Sequence, residues 1–193
     1  MSLEILYVSF YSYFLGSIPF GLILTKFFLG KDIRGVGSGN IGATNVLRAG
    51  KKSLGVLTLS LDALKAYAAI VLTYKYFTDF IYLSALLSFL GHIFPIWLKF
   101  KGGKGIAVFL GMLFALSINY VIIFVVCWSV ILYLTKYSSV SSLISVGIIF
   151  IYSIYLNNFP ESVFFFIILI IAIYTHRENI GRLKNKTENK INL

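Results

Sequence analysis

A chain of 193 residues, 59% hydrophobic and 12% charged, falls far short of the roughly one quarter charged residues of a soluble domain, and is read as an all-α, polytopic integral membrane protein. The lone Cys127 excludes an intramolecular disulfide framework and a multi-cysteine metal site; in its apolar run it reads as a packing residue. The net charge of +10 would suggest nucleic acid in a soluble protein, but here the basic residues cluster beside apolar segments, where they orient a chain in an anionic membrane, and no nucleic-acid partner is expected.

A helix crosses the hydrocarbon core with about 20 apolar residues, a length met first by residues 4–26, 53–75 and 79–99. The first of these carries Glu4 and no early Lys or Arg, so it reads as a retained span rather than a secretory signal, which opens on a basic stretch. The apolar run 105–135 is long for one crossing and short for two at ~1.5 Å per residue. Ser117-Ile118-Asn119 marks a tight turn that divides it into 105–117 and 119–135, and spans 140–156 and 160–175 follow. Seven spans with the N-terminus outside place 15 of the 17 Lys and Arg residues at cytoplasmic ends or loops. Six spans would leave the basic tail outside, so the positive-inside rule favours seven. The expectation is a single membrane domain, 1–193, with a cytoplasmic C-terminus and cytoplasmic motif segments 27–52, 100–104 and 176–193.

The first polar island is Gly-Ser-Gly-Asn-Ile-Gly-Ala-Thr-Asn-Val-Leu-Arg, residues 37–48, followed by Lys51 and Lys52. Ser38, Asn40, Thr44 and Asn45 supply neutral hydrogen-bonding groups, Arg48 and the lysines supply charge, and no carboxylate lies between Arg34 and Ser60. That is the chemistry of an anion site, phosphate above all; the blander reading is a glycine-rich turn anchored in lipid headgroups. The spacing is neither a Walker A loop nor a dinucleotide fingerprint. In the second span Asp62 and Lys65, three residues apart, are expected to face protein and pair.

The second constellation runs from His92 to Gly105. Gly102, Gly103 and Gly105 are expected to turn successive backbone N–H groups into one concavity beside Lys104 and a helix start, a setting suited to phosphate. His92 itself reads as a packed interhelical hydrogen-bonding group. In the third, Thr175-His-Arg-Glu-Asn-Ile-Gly-Arg182, a continued helix puts His176, Asn179 and Arg182 on one face. The serines 138, 139, 141 and 142 either donate to the same site or cap a helix.

Together, residues 37–48, Gly-His-Ile-Phe-Pro (91–95), Phe-Lys-Gly-Gly-Lys-Gly (100–105) and His-Arg-Glu-Asn-Ile (176–180) resemble the bacterial membrane acyl-phosphate:glycerol-3-phosphate acyltransferases, the PlsY family. Where members of that family commonly carry Gly before a Thr-Glu pair, this chain has Lys186 before Thr187-Glu188. The resemblance implies a seven-span bacterial inner-membrane enzyme, a monomer surrounded by membrane lipid, with its active site on the cytoplasmic face. It implies transfer of a fatty acyl group from acyl phosphate to the 1-hydroxyl of glycerol 3-phosphate, giving lysophosphatidic acid and phosphate in the first step of phospholipid synthesis, with no cofactor and no metal. The catalytic candidates are then Ser38, Asn40, Arg48, Lys104 and His176; the substrate-binding candidates are Gly37, Gly39, Asn45, Gly102, Gly103, Gly105, Ser142, Asn179 and Glu188.

An acyl phosphate already has a good leaving group, so anion binding, alignment and oxyanion stabilisation are what the protein must add. The Lys104 loop and Arg48 are assigned to phosphate, Ser38, Asn40 and Asn45 to the acyl phosphate and its tetrahedral state, His176 and Asn179 to glycerol 3-phosphate. The base is either His176 or a substrate phosphate. No base stands at a fixed spacing from Ser38, so direct transfer is preferred to an acyl-serine. The rival is a transporter for an organophosphate anion, disfavoured because nearly all polar residues gather at one face.

Overall fold

The structure is a computed structural model that describes residues 3–49 and 51–191. Its helices are α1 (Leu3–Gly16), α2 (Phe20–Leu29), α3 (Ala43–Arg48), α4 (Lys52–Tyr76), α5 (Ile81–Ile93), α6 (Ile106–Leu116), α7 (Ile118–Thr135), α8 (Ser138–Tyr155), α9 (Phe159–Thr175) and α10 (Arg177–Lys184). Among the described residues there is no strand. Among the described residues five stretches are long and apolar enough to cross a membrane: Leu3–Leu29, Lys52–Tyr76, Thr78–Leu98, Ile118–Thr135 and Ser138–Tyr155. The helices α9 and α10 qualify only as a pair bent by 57°. The apolar α6 has 11 residues, about 16 Å of helix against a hydrocarbon core of about 30 Å. The chain is therefore an all-helical integral membrane protein with several spans.

The break expected near 117–119 lies at Ser117, whose extended backbone separates α6 from α7 and whose Oγ accepts from Asn119 N at 3.3 Å. It is also where the chain divides into two compact units, Met1–Leu116 and Ser117–Leu193.

In the first unit α1 lies directly on α5. A Cβ at Gly16 would sit 2.2 Å from Ser88 O, and one at Gly91 2.4 Å from Tyr13 O, so both glycines are needed for the backbones to approach this closely. Ser12 and Ser84 hydroxyls share a bond of 2.8 Å across the same contact. The segment 4–26 is two helices, interrupted at Ser17–Pro19, where Pro19 has no N–H to continue the ladder. The carbonyls released there find side chains: Ser17 O accepts from Trp97 Nε1 at 2.7 Å and Ile18 O from Lys65 Nζ at 2.6 Å. Lys65 also pairs with Asp62 at 2.7 Å, both buried. Single charges within a span cost about 2.5–3.5 kcal/mol each on insertion scales, which is why they occur here as a pair facing protein.

Between α2 and α4 the chain does not run as a loose loop. Leu22, Ile33, Ile41, Val46 and Leu54 form an apolar cluster, with Leu29, Val36, Ala49 and Leu98 packed against it. Burying one such aliphatic side chain contributes about 1.5–3 kcal/mol. That is the scale needed to offset the ~1–2 kcal/mol of backbone entropy lost per ordered residue.

In the second unit α8 packs against both α7 and α9. Its buried face carries Ser139, Ser142, Val146, Ile149 and Ser153 at helical spacing. Tyr120 of α7 donates its hydroxyl to Glu161 in the first turn of α9, and its ring meets Phe165 edge-on at 5.0 Å.

Candidate active site

The residues 33–48 are organised by one amide. Asn45 is 1% exposed; its Oδ1 accepts from Ser38 N at 2.9 Å. Its Nδ2 donates to Val36 O and Asn40 O, each at 2.8 Å, and reaches Ile33 O at 3.2 Å. The loop can fold round it because Gly37 and Gly39 take positive φ, 58° and 71°, a region that costs glycine little. A Cβ at Gly37 would fall 2.4 Å from Asn45 Oδ1 and 3.8 Å from Arg48 Cδ. The stem of Arg48 therefore lies beside Gly37, next to Ser38. Asn40 Oδ1 accepts from Gly42 N at 2.8 Å as α3 begins. Ser38, Asn40 and Arg48 are half-buried, and Gly37 and Gly39 are exposed. Asn45, expected to touch substrate, has its amide committed to the loop.

At the edge of this cap Asp32 is forked by Arg34, with Nε to Oδ1 at 2.9 Å and Nη2 to Oδ2 at 2.6 Å. Those bonds hold the Asp32 carboxyl well below the usual carboxylate range and raise the Arg34 guanidinium. Asp32 is thus paired with Arg34 and, at 3.7 Å, with Lys26.

The glycine loop after α5 differs from the expected anion nest. Gly102 N donates to Ile93 O at 2.9 Å and Gly103 N to His92 O at 3.0 Å, so these two N–H groups close the C-terminal end of α5 and do not point into a concavity. The α5 carbonyls, left without partners by the end of the helix, are the stronger local claim on them. Gly105, at φ 87°, packs against the Phe89 ring, and its carbonyl accepts from Phe109 N in the first turn of α6. What this loop presents for an anion is the half-buried Lys104 and the start of α6. Leu98, just upstream, rests on the apolar cluster beneath the 33–48 segment. The connector that leads to Lys104 therefore touches, through Leu98, the apolar support of the Arg48 segment.

His92 is buried and bonded to Lys65 across α5 and α4, Nδ1 to Nζ 3.0 Å. The sequence marked Asp62 and Lys65 as a pair and His92 as a packed interhelical hydrogen-bonding group, as observed; that Lys65 is its partner left no local pattern, because the contact spans 27 residues.

In the second unit His176 sits at the bend between α9 and α10. Its Nδ1 lies 2.8 Å from Ala172 O. A carbonyl only accepts, so Nδ1 carries the proton and Nε2 of the neutral ring is the acceptor nitrogen. Asn179 Nδ2 and Ser139 Oγ donate to Glu188 Oε1 at 2.6 and 3.0 Å, and Arg182 Nε donates to Oε2 at 2.7 Å. Partial burial raises the Glu188 pKa, but the bonds from Asn179, Arg182 and Ser139 outweigh it and hold the carboxyl below its ordinary value. Glu188 is thus a bracket that orients Asn179 and Arg182. Ser142 Oγ donates to Ser138 O at 2.8 Å and receives Trp128 Nε1 at 3.1 Å. Arg182, expected on one face with His176 and Asn179, and Ser139, one of the serines expected to donate here or to cap a helix, both meet the Glu188 carboxylate.

Among the described residues no group of three or more His, Cys, Asp or Glu side chains is arranged to hold a metal. A family model described as "Glycerol-3-phosphate acyltransferase" matches residues 6–186. A glycerol-3-phosphate acyltransferase of Pelagibacter ubique is 52% identical over 188 residues, covering 97% of this chain and 98% of its own. One from Brucella anthropi is 44% identical over 192 residues, covering 99% and 95%. Two solved structures of PlsY, an integral membrane glycerol 3-phosphate acyltransferase, align closely. Its glycerol 3-phosphate form has a TM-score of 0.90 at 36% identity, covering 97% of this chain and 96% of that one. Its lysophosphatidic acid form has a TM-score of 0.86 at 35% identity, covering 97% and 95%.

Proposed function

The chain belongs to the glycerol-3-phosphate acyltransferase family, and from that premise we propose that it acylates the 1-hydroxyl of glycerol 3-phosphate with acyl phosphate as donor. The observation that carries this reading is the apolar cluster that seats the Ser38–Arg48 segment and, through Leu98, the connector leading to Lys104: two cations and the Ser38 and Asn40 side chains borne by these segments match a donor with a phosphate at its head. Lys104 and Arg48 hold the phosphate, and Ser38 and Asn40 orient the acyl carbonyl and stabilise the oxyanion that forms on it. Asn45, Gly37, Gly39, Gly102, Gly103 and Gly105 act by shaping the two loops.

His176 and Asn179 hold glycerol 3-phosphate, with Glu188 and Ser142 as their support. The substrate hydroxyl oxygen attacks the acyl carbon, the bond from that carbon to the phosphate oxygen breaks, and inorganic phosphate leaves. The hydroxyl proton passes to Nε2 of His176 or to a substrate phosphate. No acyl-serine forms. The two units are read as one membrane domain, a monomer of seven spans in the bacterial inner membrane. The N-terminus is outside and the motif segments are on the cytoplasmic face, supported by the distribution of Lys and Arg.

Purified protein given acyl phosphate and glycerol 3-phosphate should release lysophosphatidic acid and phosphate in equal amounts, without coenzyme A or added metal. The residue assignment predicts a loss of about 100-fold or more in both Lys104→Ala and His176→Ala. Uptake of glycerol 3-phosphate into proteoliposomes with no acylated product would instead identify a transporter.

A further inference from the structure

Asp62, Lys65 and His92 have no part in the chemistry above, yet all three are nearly inaccessible, at 1%, 4% and 3% exposure. An ammonium offers three protons and no lone pair. Lys65 Nζ has three groups with lone pairs within reach: Asp62 Oδ1 at 2.7 Å, an ion contact without hydrogen-bond alignment, Ile18 O at 2.6 Å and His92 Nδ1 at 3.0 Å. Because Nδ1 accepts, the ring proton of His92 is on Nε2, the nitrogen that faces the glycine loop. A Cβ at Gly103 would lie 2.0 Å from that Nε2, and one at Gly102 2.0 Å from His92 O. His92 therefore meets the loop twice, through its carbonyl to Gly103 N at 3.0 Å and through the Nε2 edge of its ring. Lys104 is the next residue.

The third acceptor leads the other way. Ile18 O belongs to the break between α1 and α2, and α2 carries Leu22 of the cluster that supports the Ser38 and Arg48 segment. One buried ammonium thus joins the helix under one cation-bearing loop to the histidine that seats the other.

We propose that Lys65, with Asp62 and His92, is a positioning network that fixes the placement of Lys104 relative to the Ser38–Arg48 segment. The inference rests on the assignment of Lys104 to substrate phosphate. A purely structural pair would keep α4 stable in lipid and leave phosphate affinity untouched. A positioning network changes phosphate affinity in protein that is still folded.

The test uses full-length protein purified in detergent, with initial rates against acyl phosphate and inorganic phosphate as a product inhibitor. His92→Leu removes the acceptor for Lys65; His92→Asn keeps one close to the Nδ1 position. The expected result is that His92→Leu raises KM for acyl phosphate and Ki for inorganic phosphate together by about tenfold or more. His92→Asn should recover both to within about threefold, a split that a simple stability defect does not produce. If His92→Leu does not fold, the double variant Asp62→Asn/Lys65→Met, which removes both charges at once, should show the same joint rise. Folded variants with unchanged KM and Ki overturn the network, as does equal loss in His92→Leu and His92→Asn. The Lys104→Ala protein separates the two layers. If it too leaves phosphate inhibition unchanged, the phosphate assignment and the network fall together; if it abolishes inhibition while the His92 variants are silent, only the network falls.

Discussion

At the scale of single residues, the most consequential side chain near the candidate site is Asn45, which presents almost nothing to a ligand. Its amide satisfies one backbone N–H and reaches three carbonyls in a loop with no strand or long helix to do so. A buried polar group left without a partner costs about 1–3 kcal/mol. Asn45→Ala should therefore lower the unfolding midpoint and reduce acyl transfer by more than about 100-fold, since the position of Ser38 depends on this bond. Asn45→Asp is the sharper variant: nearly the same shape, but it turns oxygen towards the Val36 and Asn40 carbonyls. It should be at least as damaging as alanine in both thermal melts and rate assays. A residue that merely touched substrate would instead raise KM in a protein of normal stability. The sequence named Asn45 for its polarity; its role was not legible, because which of several amides becomes the hub depends on how residues 33–45 close on themselves.

At the scale of elements, hydropathy and charge carry far, and hydrogen-bond partners do not. The run expected over 140–156 corresponds to a helix at Ser138–Tyr155, and that over 53–75 to Lys52–Tyr76, because a lipid-facing helix must be apolar along its own length. The interruption at Ser17–Pro19 is different in kind. It survives because Trp97 and Lys65, distant in sequence, receive its free carbonyls. The same holds for the glycine loop, whose N–H groups close α5.

The tail after α10 is a further case. It reverses at Lys186, which adopts φ 59°, where the related family commonly carries glycine. Glu188 then docks on Ser139, Asn179 and Arg182, and Ile191 N reaches Lys136 O at 2.9 Å. Since the Glu188 carboxyl is held below its ordinary value, near 4.5, the docking is complete above that pH and is lost as the pH falls through the lowered value. Hydrogen-exchange protection over residues 186–191, taken relative to the intrinsic amide rate at each pH, should therefore fall on acidification below about 4.5. Glu188→Gln should weaken the docking by about 1–2 kcal/mol, discounted for the partly exposed Arg182, and flatten that acid response. An identical acid response in the glutamine variant would assign it to another group.

At the scale of the whole molecule, the question is how a chain whose described residues hold five long apolar stretches, one bent pair and one short apolar helix forms the proposed seven-span arrangement. Length alone does not answer it, because α6 covers about half of a hydrocarbon core. The side of the membrane taken by the loops that follow does. If α6 and α7 each cross, the Tyr137 and Lys186 regions lie on the same side as Lys101. If the run 105–135 crosses once, both move to the side opposite Lys101. Substituted-cysteine labelling distinguishes these in intact cells, on a Cys127→Ala background that removes the single native thiol. Cysteines placed at Lys101, Tyr137 and Lys186 should all resist a membrane-impermeant maleimide until the membrane is opened, while one at Thr78, between α4 and α5, should react from outside. Labelling of Tyr137 and Lys186 from outside with Lys101 still protected would overturn the seven-span arrangement, and with it the placement of His176 on the same face as Lys104. Direct acyl transfer between substrates held by those two residues requires that shared face, so the labelling pattern tests the chemistry as well as the topology.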